Sequence, residues 1–155
     1  MLRKISFILN GEKRSVYVEP NDLLLDVIRD KLGDKTPKYG CGRGDCGTCT
    51  VLLNGKSVRS CLILAVEVEG QEVTTLEGIS KNGLTELQKY FIKHNSFQCG
   101  FCAPGMIVTL DEFLKKNPKP NEEDVKEAIS GNLCRCTGYV PIIRAVMDYV
   151  KNRGG

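Results

Sequence analysis

Cys41, Cys46 and Cys49 fall within nine residues, and Cys61 follows them, in the spacing C-x4-C-x2-C-x11-C. A loop that puts three of these thiols on one centre must turn sharply. Four further cysteines, Cys99, Cys102, Cys134 and Cys136, are spaced C-x2-C-x31-C-x1-C. The chain's eight cysteines thus divide into two sets of four with none left over. Met1-Leu2-Arg3-Lys4 leads into alternating residues rather than an apolar run, which predicts neither a signal peptide nor a spanning helix. The expected location is cytoplasmic. In a reducing compartment, metal binding is favoured over a secreted disulfide framework.

The first three members of the first quartet match the spacing of plant-type [2Fe–2S] proteins. Gly40, Gly42, Gly44 and Gly47 are interleaved with the thiols. They are expected to supply φ > 0 and close approach of backbone N–H groups to sulfur. Arg43 and Asp45 read as solvated loop charges. The competing reading is zinc, but a tetrahedral zinc knuckle does not call for four glycines around three cysteines.

The second quartet, taken by its spacing alone, leaves zinc open, because Cys99-x2-Cys102 is a common knuckle. Cys134-Arg-Cys136 is unusually tight for that metal. Each pair also precedes a predicted helix with a proline near its start, Pro104 or Pro141. Helix N-termini present free N–H groups and a positive dipole end, which suits an anionic centre. Arg135 adds either positive charge to the site or a surface ion pair.

The remaining pattern predicts an α+β chain of two unlike parts, over residues 1–78 and 79–155. Ile5, Phe7 and Leu9 alternate as a strand, Asn10-Gly11 is a turn, and a second strand is expected over Ser15–Val18. Asn21 is placed to cap a helix bearing Leu24, Leu25, Val27, Ile28 and Leu32, ended by Gly33. Further strands are expected over Val51–Leu53, Ser57–Ser60 and Glu72–Leu76. Beyond Ile79 four helices are expected. The first runs from Leu84 with Leu87, Phe91 and Ile92 on its face. The second opens at Pro104 and carries Ile107, Leu110, Phe113 and Leu114. The third runs from Asn121 through Ile129. The fourth opens at Pro141, with Ile142, Ala145, Val146 and Tyr149. A net charge of +3, spread along the chain, argues against a nucleic-acid surface.

Three motifs carry a resemblance: Cys-Gly-x-Gly-x-Cys-Gly-x-Cys at 41–49, Gln-Cys-Gly-Phe-Cys-x-Pro-Gly at 98–105, and Gly-Asn-Leu-Cys-Arg-Cys-Thr-Gly-Tyr at 131–139. With them the whole chain resembles the small iron–sulfur subunits of the xanthine oxidase family of molybdenum hydroxylases. The resemblance implies an N-terminal β-grasp ferredoxin-like domain and a C-terminal four-helix bundle, each binding one [2Fe–2S] cluster. Cys99, Cys102, Cys134 and Cys136 would hold the cluster near a molybdopterin on a large partner subunit. Cys41, Cys46, Cys49 and Cys61 would hold the one near the FAD of a medium subunit. Gln98 would contact the pterin.

By its position the lone histidine, His94, reads as a solvated helix-end residue. No dinucleotide or P-loop motif is present, so substrate chemistry is expected on another polypeptide. The function so implied is relay of electrons between molybdopterin and flavin, as one subunit of an oxidoreductase. A free-standing two-cluster carrier and a zinc-stabilised interaction module are the competing readings.

Overall fold

The computed structural model describes residues 1–153. Its N-terminal half is a five-stranded mixed sheet of order β2-β1-β5-β3-β4. The strands are β1 (Arg3–Leu9), β2 (Glu12–Val18), β3 (Thr50–Leu53), β4 (Lys56–Arg59) and β5 (Glu72–Thr74). The Asn10-Gly11 and Asn54-Gly55 turns have positive φ at both residues, the conformation tight hairpins require. β1 pairs antiparallel to β2 and parallel to β5, while β3 is antiparallel to both β4 and β5. Ile5, Phe7 and Leu9 face inward from β1 as their alternation requires. They pack with Val51 and Val73 against Leu24, Val27 and Ile28.

Those last three residues belong to α1 (Leu24–Asp26) and a π-helical turn over Val27–Lys31 that continues it. The helix starts later than expected, with Leu23 at its N-cap rather than Asn21. No side chain caps it, and the Asp22 carboxylate instead accepts the Glu19 N–H and pairs with Lys31. β2 begins earlier than its residues suggested, because hairpin pairing extends to Leu9–Glu12. The fifth strand stops at Thr74, where the chain turns into a short unforeseen helix, α2 (Leu76–Ile79).

The C-terminal half comprises α3 (Glu86–Lys93), α4 (Ala103–Lys116), α5 (Glu122–Ile129) and α6 (Val140–Asn152). Their common core is formed by Leu87, Phe91, Met106, Leu110, Leu114, Val125, Ile129, Ile142, Ala145 and Val146. Asn121 caps α5 in a reciprocal arrangement with Asp124. Thr85 and Gln88 do the same for α3, so that helix begins after Leu84. Leu84 and Ile92 consequently lie on the outside, while Gln88 is buried against Ser80 and Thr85. His94 is also less solvated than expected. It ends α3, and its Nε2 lies 2.8 Å from the Asp148 carboxylate of α6.

The two halves meet where the glycine-rich loop reaches α4. A methyl group at Gly105 would collide with the Gly47 carbonyl, so the missing side chain permits the contact. Glu112 of α4 accepts the Ser57 N–H of β4 at 2.7 Å. Arg59 spans the junction, donating to Thr50 Oγ1 at 2.7 Å and to the Gly131 carbonyl at 2.8 Å.

Candidate functional site

The eight thiols gather as four pairs. Cys41 lies against Cys46, Cys49 against Cys61, Cys99 against Cys136 and Cys102 against Cys134. In the third pair the sulfurs are 3.5 Å apart. Two pairs serve each quartet, so both quartets expected from the spacing are brought together. Thiols arranged two and two fit a dinuclear centre with two sulfur ligands on each metal. A single tetrahedral ion would draw all four to one point.

Each quartet has an inner and an outer pair. Cys49 and Cys61 are buried against Leu25 of α1, whereas Cys41 and Cys46 are half-buried in the loop. Cys102 is buried as the N-cap of α4, and Cys134 is half-buried beside it. Cys99 and Cys136 are exposed. One edge of each quartet is thus at or near the surface.

Loop geometry sets the electrostatics of the first quartet. Gly42, Gly44 and Gly47 have positive φ, as expected of the loop. Gly40 does not. It supplies room instead, since a Cβ there would lie 2.7 Å from Cys46 Sγ. Cys41 Sγ accepts the backbone N–H groups of Arg43 and Cys46, each at 3.4 Å. These bonds favour its thiolate and hold its pKa at about 6. Burial, then the neighbouring Cys49, pushes Cys61 up to about 11. Arg43 and Asp45 pair with each other and are both exposed to solvent.

The second quartet shows the same contrast. Burial, followed by Cys134, pushes Cys102 up to about 12. Burial would raise Cys134 as well, but hydrogen bonds led by the Thr137 hydroxyl hold it below the ordinary thiol value. The Phe101 N–H, then Cys136, lowers Cys99, and Cys136 is raised in turn by Cys99. One thiol of each such pair is predisposed to lose its proton first, and metal binding must displace the other. The residues present therefore suit an all-thiolate dinuclear group at each site.

Gln98 is exposed next to Cys99 and donates its amide to the Cys136 carbonyl at 3.1 Å. Arg135 is exposed between the last two cysteines. Four supporting residues were given no role by their sequence context. Arg59 carries no signal, being one basic residue at a strand end. Asn132 donates to the Gly47 carbonyl at 3.2 Å and is buried between the two cysteine loops. Thr137 and Tyr139 follow Cys136, and Tyr139 takes φ +69° at the start of α6. The last three lie inside the 131–139 motif, where residue type alone signals no supporting role.

Comparison with known proteins agrees with this arrangement. Residues 7–82 match the family model described as a 2Fe-2S iron-sulfur cluster binding domain, and residues 75–147 match a [2Fe-2S] binding domain. The chain is 47% identical over 143 residues to the nicotinate dehydrogenase small FeS subunit of Eubacterium barkeri, covering 92% of this chain and 91% of the relative. It is 44% identical over 145 residues to the nicotine 6-hydroxylase small subunit of Paenarthrobacter nicotinovorans, covering 94% and 88%. Its structure is similar to a chain of quinoline 2-oxidoreductase from Pseudomonas putida 86. There the TM-score is 0.93 and the identity 47%, with 96% of this chain and 93% of the other covered.

Proposed function

Because this chain belongs to the small [2Fe–2S] subunits of the xanthine oxidase family of molybdenum hydroxylases, we propose that it relays electrons between a molybdopterin site and a flavin carried by partner chains. It is the iron–sulfur subunit of an oxidoreductase, with substrate chemistry on a partner. Cys41, Cys46, Cys49 and Cys61 hold one cluster, and Cys99, Cys102, Cys134 and Cys136 hold the other. A [2Fe–2S] cluster supplies a centre that gains or loses one electron without gross rearrangement.

The gathering of eight thiols as two sets of two pairs within one chain carries this reading. The chain's own residues do the positioning. Cys99 and Cys136 are exposed, and Phe101, Leu133 and Val140 from the same loops expose apolar side chains. A face of this composition suits a large partner surface that excludes water. Gln98 extends from it, its amide oriented by the Cys136 carbonyl, and is the residue we assign to the pterin. In the other quartet, the half-buried Cys41–Cys46 edge and the solvated Arg43–Asp45 loop form the face toward the flavin subunit. No described helix is long and apolar enough to cross a membrane. We place the complex in the cytoplasm.

The complex isolated from its native source tests this. Its small subunit should account for about four irons and four acid-labile sulfides. Cys49→Ser should remove one reduced-state EPR signal and Cys136→Ser the other. A colourless, redox-inert subunit containing stoichiometric zinc would refute the assignment. Isolation as a stable monomer with both clusters, and without molybdenum or a flavin-bearing companion, would refute the relay within a complex.

A further inference from the structure

We propose that Thr137 raises the reduction potential of the centre held by the helical quartet, by donating its hydroxyl proton to Cys134 Sγ. This rests on the assignment of Cys134 as a cluster ligand. Thr137 Oγ1 lies 3.1 Å from Cys134 Sγ and also accepts the backbone N–H of Tyr139 at 3.1 Å. A hydroxyl has one proton and two acceptor sites. The Tyr139 N–H takes an acceptor site and leaves the proton free. A ligating thiolate has no proton of its own, so between these atoms only O–H···S is available. A hydrogen bond to sulfur stabilises the more electron-rich reduced state, and so shifts the potential upward.

The hydroxyl is held in this position by an unusual backbone. Tyr139 sits at φ +69°, a region that bulky residues rarely enter and that persists only when its surroundings enforce it. Its phenol oxygen accepts the Cys134 N–H at 2.9 Å and donates to the Asn132 carbonyl at 3.1 Å. Its N–H meanwhile fixes Thr137. Tyr139 thus fastens both ends of the loop around Cys134, and Thr137 is the group within it that reaches sulfur.

The first quartet supplies an internal contrast. Thr48 Oγ1 is likewise 3.1 Å from a cysteine sulfur, that of Cys46, but the Lys38 carbonyl lies 3.2 Å from the same hydroxyl. Two acceptors compete there for one proton. The hydroxyl–sulfur bond is uncontested only at Thr137.

An EPR-monitored redox titration of the assembled complex tests the proposal. Iron content and the presence of both cluster signals check the ligand assignment separately. Thr137→Val should lower the midpoint potential of the helical-quartet centre and leave the ferredoxin-type centre unchanged. Thr137→Ser, which keeps the hydroxyl, should restore the wild-type value. An unshifted potential in Thr137→Val, or a serine variant as low as the valine one, would overturn the proposal. If Thr137→Val does not retain the centre, Thr137→Ala, which also lacks the hydroxyl but is smaller, is titrated in its place, and an unshifted potential there overturns the proposal.

Discussion

The backbone N–H of Leu133 donates to the carbonyl oxygen of Cys46 at 2.9 Å, so one hydrogen bond joins a cysteine of the first quartet to the residue preceding Cys134 of the second. Arg59 and Asn132 brace the same junction from either side, through Gly131 and Gly47. Leu133→Pro would delete that N–H while keeping the chain length. Electron equilibration between the two centres, followed by pulse radiolysis of the complex, should be slower in this variant. Both EPR signals should keep their wild-type intensity. An unchanged rate would show that the bond does not contribute to the coupling.

Gly47→Ala should be strongly destabilising. The residue has φ +73°, and an added methyl group would meet the Gly131 carbonyl across the junction. The backbone strain alone costs of order 1–3 kcal/mol. Thermal unfolding of the cluster-loaded protein should show the loss, accompanied by earlier bleaching of the visible absorbance. Gly55→Ala is the control. It also has positive φ but nothing near its Cβ, so it carries the strain without the collision.

In cluster-free protein Cys41 should be alkylated well before Cys102. The Cys41 pKa of about 6 makes it largely thiolate at pH 7, and it is half-buried rather than sealed in the core. Cys102, at about 12 and buried, should lag behind. Lowering the pH through 6 should slow the Cys41 reaction as its thiolate is protonated. Brief iodoacetamide treatment followed by peptide mass spectrometry reads both effects.

Glu112 makes the docking of the two halves sensitive to acid. Burial works against its ionised form, but Lys116 and the Ser57 N–H outweigh that cost and hold its pKa below the ordinary 4.5. A carboxylate lowered on folding stabilises the folded state above its unfolded pKa, and the contribution is lost as pH falls through the lower folded value. Glu112→Gln, whose amide oxygen can still accept the Ser57 N–H, should therefore destabilise at neutral pH by about 1 kcal/mol, the difference between a hydrogen bond to a charged and to a neutral acceptor. The difference from wild type should shrink below pH 4.5. Urea unfolding at pH 7 and pH 3.5 measures both effects.

Much of the architecture was legible because it rests on local rules. Alternation placed Ile5, Phe7 and Leu9 inward, the two Asn-Gly turns fixed the hairpins, and Pro104 and Pro141 marked the starts of α4 and α6. Helix faces were less secure. Ile92 has the right spacing for the core of α3, yet the capping pair Thr85–Gln88 sets the helix start and its polar partner Gln88 is buried instead. Spacing reports which residues can share a face, but packing decides which face is covered.

By itself the sequence determined which soft donors are on offer: eight cysteines in two sets of four, the first threaded with glycines, limit what the chain can bind. It did so because thiolate ligation depends on residue type and on spacing along a loop, both of which are written in the chain. Only the tertiary structure decided how the thiols pair and which edge of each quartet reaches the surface. It also decided that Leu133 meets Cys46, residues 87 positions apart. Those outcomes depend on where α4 settles against β3 and β4 and on how α6 packs against α3 and α5. Their position is set by close approaches at Gly47 and Gly105 and by the Arg59 and Glu112 bonds, contacts between distant residues that no local pattern encodes.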